Sequence, residues 1–148
     1  MKLSYRQKLS LYFIVIFVFF TIGVVVFEKS QEKKLRTEAL EEKLDTYVEI
    51  INSSLVLNQN KFEIIDSLTK IFPQQIRITI INRKGLVLYD NSLEEIKNLD
   101  NHAERPEIIK AEKQLNGTDI RISASINHEY LYYAKRFNSY FVRVALPY

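Results

Sequence analysis

The stretch Ile76–Asp90, IRITIINRKGLVLYD, decides the fold. Ile76, Ile78 and Ile80 alternate with Arg77, Thr79 and Ile81, a period of two that predicts a strand over 76–82. Arg83-Lys84-Gly85 reads as a turn, with Gly85 supplying the positive φ. Leu86–Tyr89 is then a second strand that returns beside the first as a hairpin, and Asp90-Asn91-Ser92 ends it with turn chemistry.

Downstream, residues 93–104 are polar and irregular, and Pro106 to about Leu115 reads as a helix. Pro is well placed in a first turn, and Glu107 suits the positive N-terminal end of the helix dipole. Ile108, Ala111 and Leu115 face inward, and Asn116-Gly117 is the expected C-terminal stop. Three more strands are expected. In the first, Ile120, Ile122, Ala124 and Ile126 alternate with Arg121, Ser123 and Ser125. After the turn Asn127-His128-Glu129 comes Tyr130–Phe137, and after Asn138-Ser139 comes Tyr140–Leu146. Pro147 cannot continue a central ladder.

Upstream the period changes. Lys61–Phe72 reads as a short helix with Phe62, Ile65, Leu68 or Thr69, and Phe72 on one side, closed by Pro73 and preceded by a loop at Asn58-Gln59-Asn60. Glu28 to Leu57 is charged and free of Gly and Pro. Leu35, Leu40, Leu44, Tyr47 or Val48, Ile51 and Leu55 recur along it at helical spacing. This stripe has two readings: a helix packed on its own domain, or a dimer seam near a membrane. They are compatible if the upper part packs and the lower part pairs.

Before it, Leu9–Phe27 is a 19-residue run without a charge. As a helix it is roughly 28 Å long, the thickness of a bilayer core. Its polar members, Ser10, Tyr12, Thr21 and Gly23, are tolerated in membrane helices or at their interfaces. A cleaved signal peptide has a shorter apolar region and a small-x-small site, whereas this run ends Val24-Val25-Val26-Phe27-Glu28-Lys29. A retained anchor is expected. The three cations Lys2, Arg6 and Lys8 precede it with no acid among them, which predicts a cytoplasmic N-terminus and places residues 28–148 outside.

Composition narrows the chemistry. The 148 residues carry 21 basic and 18 acidic side chains, and the whole excess of +3 sits in those first eight residues. The remainder is balanced, so no nucleic-acid partner is expected. With no Cys, disulfide frameworks, Cys-ligated zinc and thiol catalysis are excluded, and two His leave few soft metal ligands. Three Gly, at 23, 85 and 117, cannot build a phosphate loop. No H-E-x-x-H or G-x-S-x-G motif occurs, and Glu94-Glu95 is an exposed run. No catalytic site, cofactor or metal is expected in this chain.

Three stretches stand out: Arg83-Lys84-Gly85-Leu86-Val87-Leu88-Tyr89-Asp90, Asn101-His102-Ala103-Glu104-Arg105-Pro106-Glu107-Ile108, and the closing strand Val142-Arg143-Val144-Ala145-Leu146-Pro147. With the layout, they resemble the extracytoplasmic sensor region of bacterial membrane-bound sensor histidine kinases of the phosphate-regulon type. The second is similar to an N-H-x-x-R-P-E-I segment of those kinases and is the most specific. The resemblance implies an α+β, PAS-like or Cache-like domain, with a five-stranded, mainly antiparallel sheet flanked by helices. The organisation would be a tail at 1–8, a single transmembrane helix at 9–27, a juxtamembrane or dimerisation helix at 28–57 and the sensor domain at 58–148. It further implies a homodimer in the bacterial cytoplasmic membrane that detects a small molecule or a periplasmic protein. Such kinases continue into a second membrane helix, a dimerisation helix pair and an ATP-binding domain, so this chain is expected to be a fragment. A pilin-like or other envelope structural protein is the alternative class. The sensor domain of a chemoreceptor or cyclic-dinucleotide enzyme is a third.

The densest polar cluster is Asp100–Glu107. Its structural reading has Asn101 or Asp100 turning the chain and Arg105 pairing an acid such as Asp90. Its functional reading is a ligand-facing loop. Arg105 offers a planar fork for a carboxylate or phosphate, and His102 titrates near neutrality. His102 with Arg105-Pro106 superficially resembles a kinase phosphoacceptor box, but the following residues do not match it. The candidate ligand-binding residues are Asn101, His102, Arg105, Tyr89 and Tyr132, with Tyr130 and Tyr133 as further aromatics for a pocket.

Overall fold

The structure is a computed structural model, and it describes residues 4–59, 62–73, 75–92, 100–122 and 128–148. The alternating run forms β1, Arg77–Asn82, and the residues after the turn form β2, Val87–Asp90. They pair antiparallel through Thr79↔Asp90 and Ile80↔Tyr89, with a bulge between Ile80 and Ile81. Gly85 takes φ 83° in the turn. The Asn82 Oδ1 accepts the backbone N–H groups of Lys84 and Leu86, both at 2.9 Å, which closes the reversal.

The remaining strands are β3, Asn116–Ile122, β4, Glu129–Arg136, and β5, Tyr140–Pro147. All pairings are antiparallel, in the order β2-β1-β5-β4-β3, so the last strand is the middle of an open sheet. Thr79 lies opposite Arg143, and Tyr132 opposite Ala145. β5 runs one residue past the expected end at Leu146: Pro147 still lies opposite Tyr130 of β4, while the ladder to β1 ends at Ala145.

Three helices are described: α1, Tyr5–Leu57, α2, Glu63–Thr69, and α3, Pro106–Gln114. The chain divides into two compact units, Met1–Ala39 and Leu40–Tyr148. In the first unit the apolar residues of α1 are exposed all round. By length and composition alone, α1 is the one described helix fit to cross a membrane.

In the second unit α1 becomes a core helix. Leu44, Val48, Ile51 and Leu55 are fully buried, together with Ile65 of α2. They pack on one face of the sheet, made by Ile78 and Ile80 of β1, Leu131 and Tyr133 of β4, and Val142, Val144 and Leu146 of β5. Each such side chain contributes about 1.5–3 kcal/mol through burial. The stripe read along 28–57 is therefore not uniform: Leu35 is 64% exposed and burial is complete only from Leu44 onward. Polar bonds fix the same contact. Asp45 accepts from Tyr133 Oη and Lys135 Nζ, both at 2.7 Å, and Lys135 also pairs with Glu49 at 2.7 Å.

Two boundaries differ from the sequence reading. α2 is shorter than 61–72, because backbone bonds from Ile71 and Phe72 both fall on the Leu68 carbonyl and Pro73 stops the coil. The stop after α3 is made by Leu115, with φ 78°, and Asn116-Gly117 already belong to β3. Gly117 serves close approach instead. A Cβ there would press on the Glu107 carbonyl, on Lys110 Cβ at 2.5 Å and on Ala111 N at 2.7 Å. The residues 123–127 expected to extend β3, the pair Glu94-Glu95 and Asn60 of the expected loop lie outside the described residues.

Candidate functional site

The second face of the sheet is built from alternate positions: Arg77, Thr79 and Ile81 of β1, Phe141, Arg143 and Ala145 of β5, and Tyr130, Tyr132 and Ala134 of β4. At one end it is apolar, where Ile108 and Ala111 of α3 pack on Ile81, Ala134 and Phe141. The rest is a layer of charge under a folded segment, 100–107. Burying ions is costly unless each finds partners, and these do.

Glu107, fully buried in the first turn of α3, accepts both Arg121 guanidinium nitrogens, Nη1 to Oε2 at 2.6 Å and Nη2 to Oε1 at 2.9 Å. Arg143 Nη1 reaches the same Oε1 at 3.3 Å, and its Nη2 donates to Thr79 Oγ1 at 3.0 Å. Thr79 passes the chain on, donating to Asp90 Oδ2 at 2.9 Å. Asp90 also accepts Arg77 Nε at 3.1 Å and the backbone and hydroxyl of Ser92 at 3.0 and 2.6 Å. Tyr132 lies beneath two cations, with Arg121 3.9 Å and Arg143 5.5 Å from its ring centroid. Burial opposes the charge on Glu107, yet hydrogen bonding and attraction from Arg121, with help from Arg143, hold its carboxyl below the usual range. Asp90 is likewise penalised by burial and held low by Ser92 and Arg77.

His102 enters this layer from the loop. Its backbone N–H donates to Gly85 O at 2.8 Å, which docks the segment on the β1–β2 turn. Its side chain is 5% exposed, and the buried Nδ1 has no hydrogen-bond partner among the described residues. Burial pushes its pKa down to about 4, reinforced by Arg143, Arg105 and Arg77 and opposed by Asp90. Arg105 is half-buried at the N-cap of α3, with no hydrogen bond or ion pair from its side chain among the described residues.

The five candidate residues fall in different places. His102, Arg105 and Tyr132 gather at the charged layer. Asn101 is a strut: its Nδ2 donates to Lys84 O at 2.9 Å, and its Oδ1 accepts Ala103 N–H at 2.8 Å. Tyr89 turns to the other face, donating to Asp66 Oδ1 at 2.5 Å with its ring 5.9 Å from Phe62. Tyr133 also points there, to Asp45, while Tyr130 stays beside Tyr132 at 6.3 Å. Asp90 is paired by Arg77 rather than by Arg105. Sequence reasoning missed Arg143, Thr79, Arg77 and Arg121 as members, and placed Glu107 in the polar cluster without a role at the site. The available signal was Arg143 itself, one charge within the apolar run Tyr140–Leu146.

Beside the same segment is a pocket of about 190 Å³. Ala103 and Gly85 form one wall, Ile108, Ile109, Glu112 and Lys113 of α3 another, with Phe141 and Arg83 completing it. No protein-family model, curated protein or solved structure matches the chain.

Proposed function

We propose that this chain is the signal-sensing region of a bacterial two-component sensor histidine kinase, a PAS-like or Cache-like domain outside the cytoplasmic membrane. The observation that carries the reading is α1: one helix, Tyr5–Leu57, is apolar enough for a bilayer near its start and supplies Leu44, Val48, Ile51 and Leu55 to the sheet's core near its end. The sequence resemblance in the hairpin, the segment Asn101–Ile108 and the closing strand supports the same assignment, as does the five-stranded antiparallel sheet.

In this reading a stimulus at the 100–107 segment alters the second face of the sheet. The sheet is bonded to α1 through Tyr133, Lys135 and Asp45, so two arrangements of the sheet become two positions of the helix. The stimulus must bind one arrangement more tightly than the other. The kinase works as a homodimer, and the chain itself performs no catalysis.

Sequencing the gene past the codon for Tyr148, and incubating the purified gene product with ATP, tests this. The expected result is a histidine-bearing dimerisation segment, an ATP-binding domain and acid-labile phosphohistidine. A chemoreceptor or cyclic-dinucleotide output, or filaments assembled from a processed N-terminus, overturns it.

A further inference from the structure

We propose that the pocket beside the β1–β2 turn binds a small carboxylic acid with an apolar body, of about the size of a substituted benzene ring. A dry cavity of about 150 Å³ is enough to hold benzene, and this one measures about 190 Å³. Its floor is apolar: Phe141 and Ile108 belong to the core cluster of the second face. Ile109 adds apolar surface, at 41% exposure. Lys113 stands one helical turn beyond Ile109, on the same wall.

The charges select among apolar guests. Arg83 is committed, donating to Glu112 Oε1 at 2.6 Å with its guanidinium 5.1 Å from the Phe141 ring. Arg136 backs the same carboxylate at 4.0 Å. Two guanidiniums facing one carboxylate leave the rim positive. The Lys113 side chain adds a cation with no hydrogen-bond or ion-pair partner among the described residues. A cationic guest is repelled, and a neutral one leaves Lys113 unused. A guest with charge throughout has no match for Phe141 and Ile108. A carboxylate on an apolar body satisfies both surfaces.

The site also has a lever. Gly85 and Ala103, which line it, belong to the docked pair of loops: Gly85 O holds the His102 N–H, and Asn101 bridges Lys84 and Ala103. A guest that presses on Ala103 therefore acts on the residue next to His102, which sits in the charged layer. The inference deepens the sensory reading and rests on it for its biological meaning. The two fail separately, because binding is read on the chain itself and the kinase assignment on the gene.

The test uses the full 148-residue chain in detergent micelles with ¹³C-labelled isoleucine methyls, and phenylacetate and its neutral counterpart phenylacetamide as probes. Phenylacetate is expected to shift the Ile108 and Ile109 methyl signals saturably and to leave Ile78 and Ile80 in place. Phenylacetamide should bind at least about threefold more weakly, the scale of one exposed charge pair. Lys113→Gln should lower the phenylacetate affinity to that of the amide and leave the amide unaffected. Ile109→Trp, at an exposed position that filling should not unfold, should abolish both. Absence of saturable shifts at millimolar phenylacetate, equal affinity for the two probes, or indifference to Lys113→Gln overturns the proposal.

Discussion

His102 joins a buried nitrogen without a partner among the described residues to three neighbouring guanidiniums, and this combination sets its response to acid. The groups facing it are Arg143 of β5, Arg77 of β1, Arg105 of its own segment and Asp90 of β2. Its folded pKa of about 4 lies below the ordinary 6.5. Between those values the unfolded chain binds a proton that the folded chain refuses. Stability is therefore complete above pH 6.5 and declines as the pH falls toward 4. Glu107, Asp90 and Asp45 are all held below the usual carboxylate range, so their losses begin at lower pH, beneath this window. Urea unfolding of the chain should lose about 2 kcal/mol between pH 7 and pH 5, and His102→Phe should remove most of that loss. A pH dependence unchanged by the substitution would show that His102 titrates normally.

The same residue shows where sequence reading stops. His102 reads as part of a ligand-facing loop that could register pH near neutrality, because nothing local states that Gly85 O will dock it against a sheet. Glu107 reads only as an acid suited to a helix dipole. Its burial depends on Arg121 and Arg143, 14 and 36 residues away, arriving through strand register. Pairing of charges across a sheet is a property of the fold, so Asp90 pairs with Arg77 and not with the expected Arg105.

At the scale of elements, periodicity carried further. The hairpin around Gly85, the start of α3 at Pro106 and the last two strands were legible, since alternation and turn residues are local signals. The stop after α3 was not, because Leu115 takes the positive φ that Gly117 was expected to supply. In α1 the apolar stripe was visible, and so was a reading in which its upper part packs on the domain; where the division falls was not, because spacing alone cannot tell Leu35 from Leu44. The structure separates them, and so should mutation. Ile51→Ala, at a fully buried position, should cost about 2–5 kcal/mol in urea unfolding. Leu35→Ala, at a position 64% exposed, should stay within about 0.5 kcal/mol. Comparable losses at both sites would mean that the stripe is covered along its whole length in solution, as by a second copy.

At the scale of the molecule, the described residues combine three features: an apolar helix, an antiparallel sheet, and a charged layer under one loop. The sensory account needs the helix to lie in a membrane and the loop to face away from the cytoplasm. The absence of Cys gives a clean way to ask. Single substitutions Ser4→Cys, before the apolar run, and Glu104→Cys, in the exposed part of the 100–107 segment, can each be probed in intact bacteria with a membrane-impermeant maleimide. The account predicts labelling of Glu104→Cys in intact cells and of Ser4→Cys only after lysis. Labelling of Ser4→Cys alone, or of neither variant until the cells are broken, would contradict it.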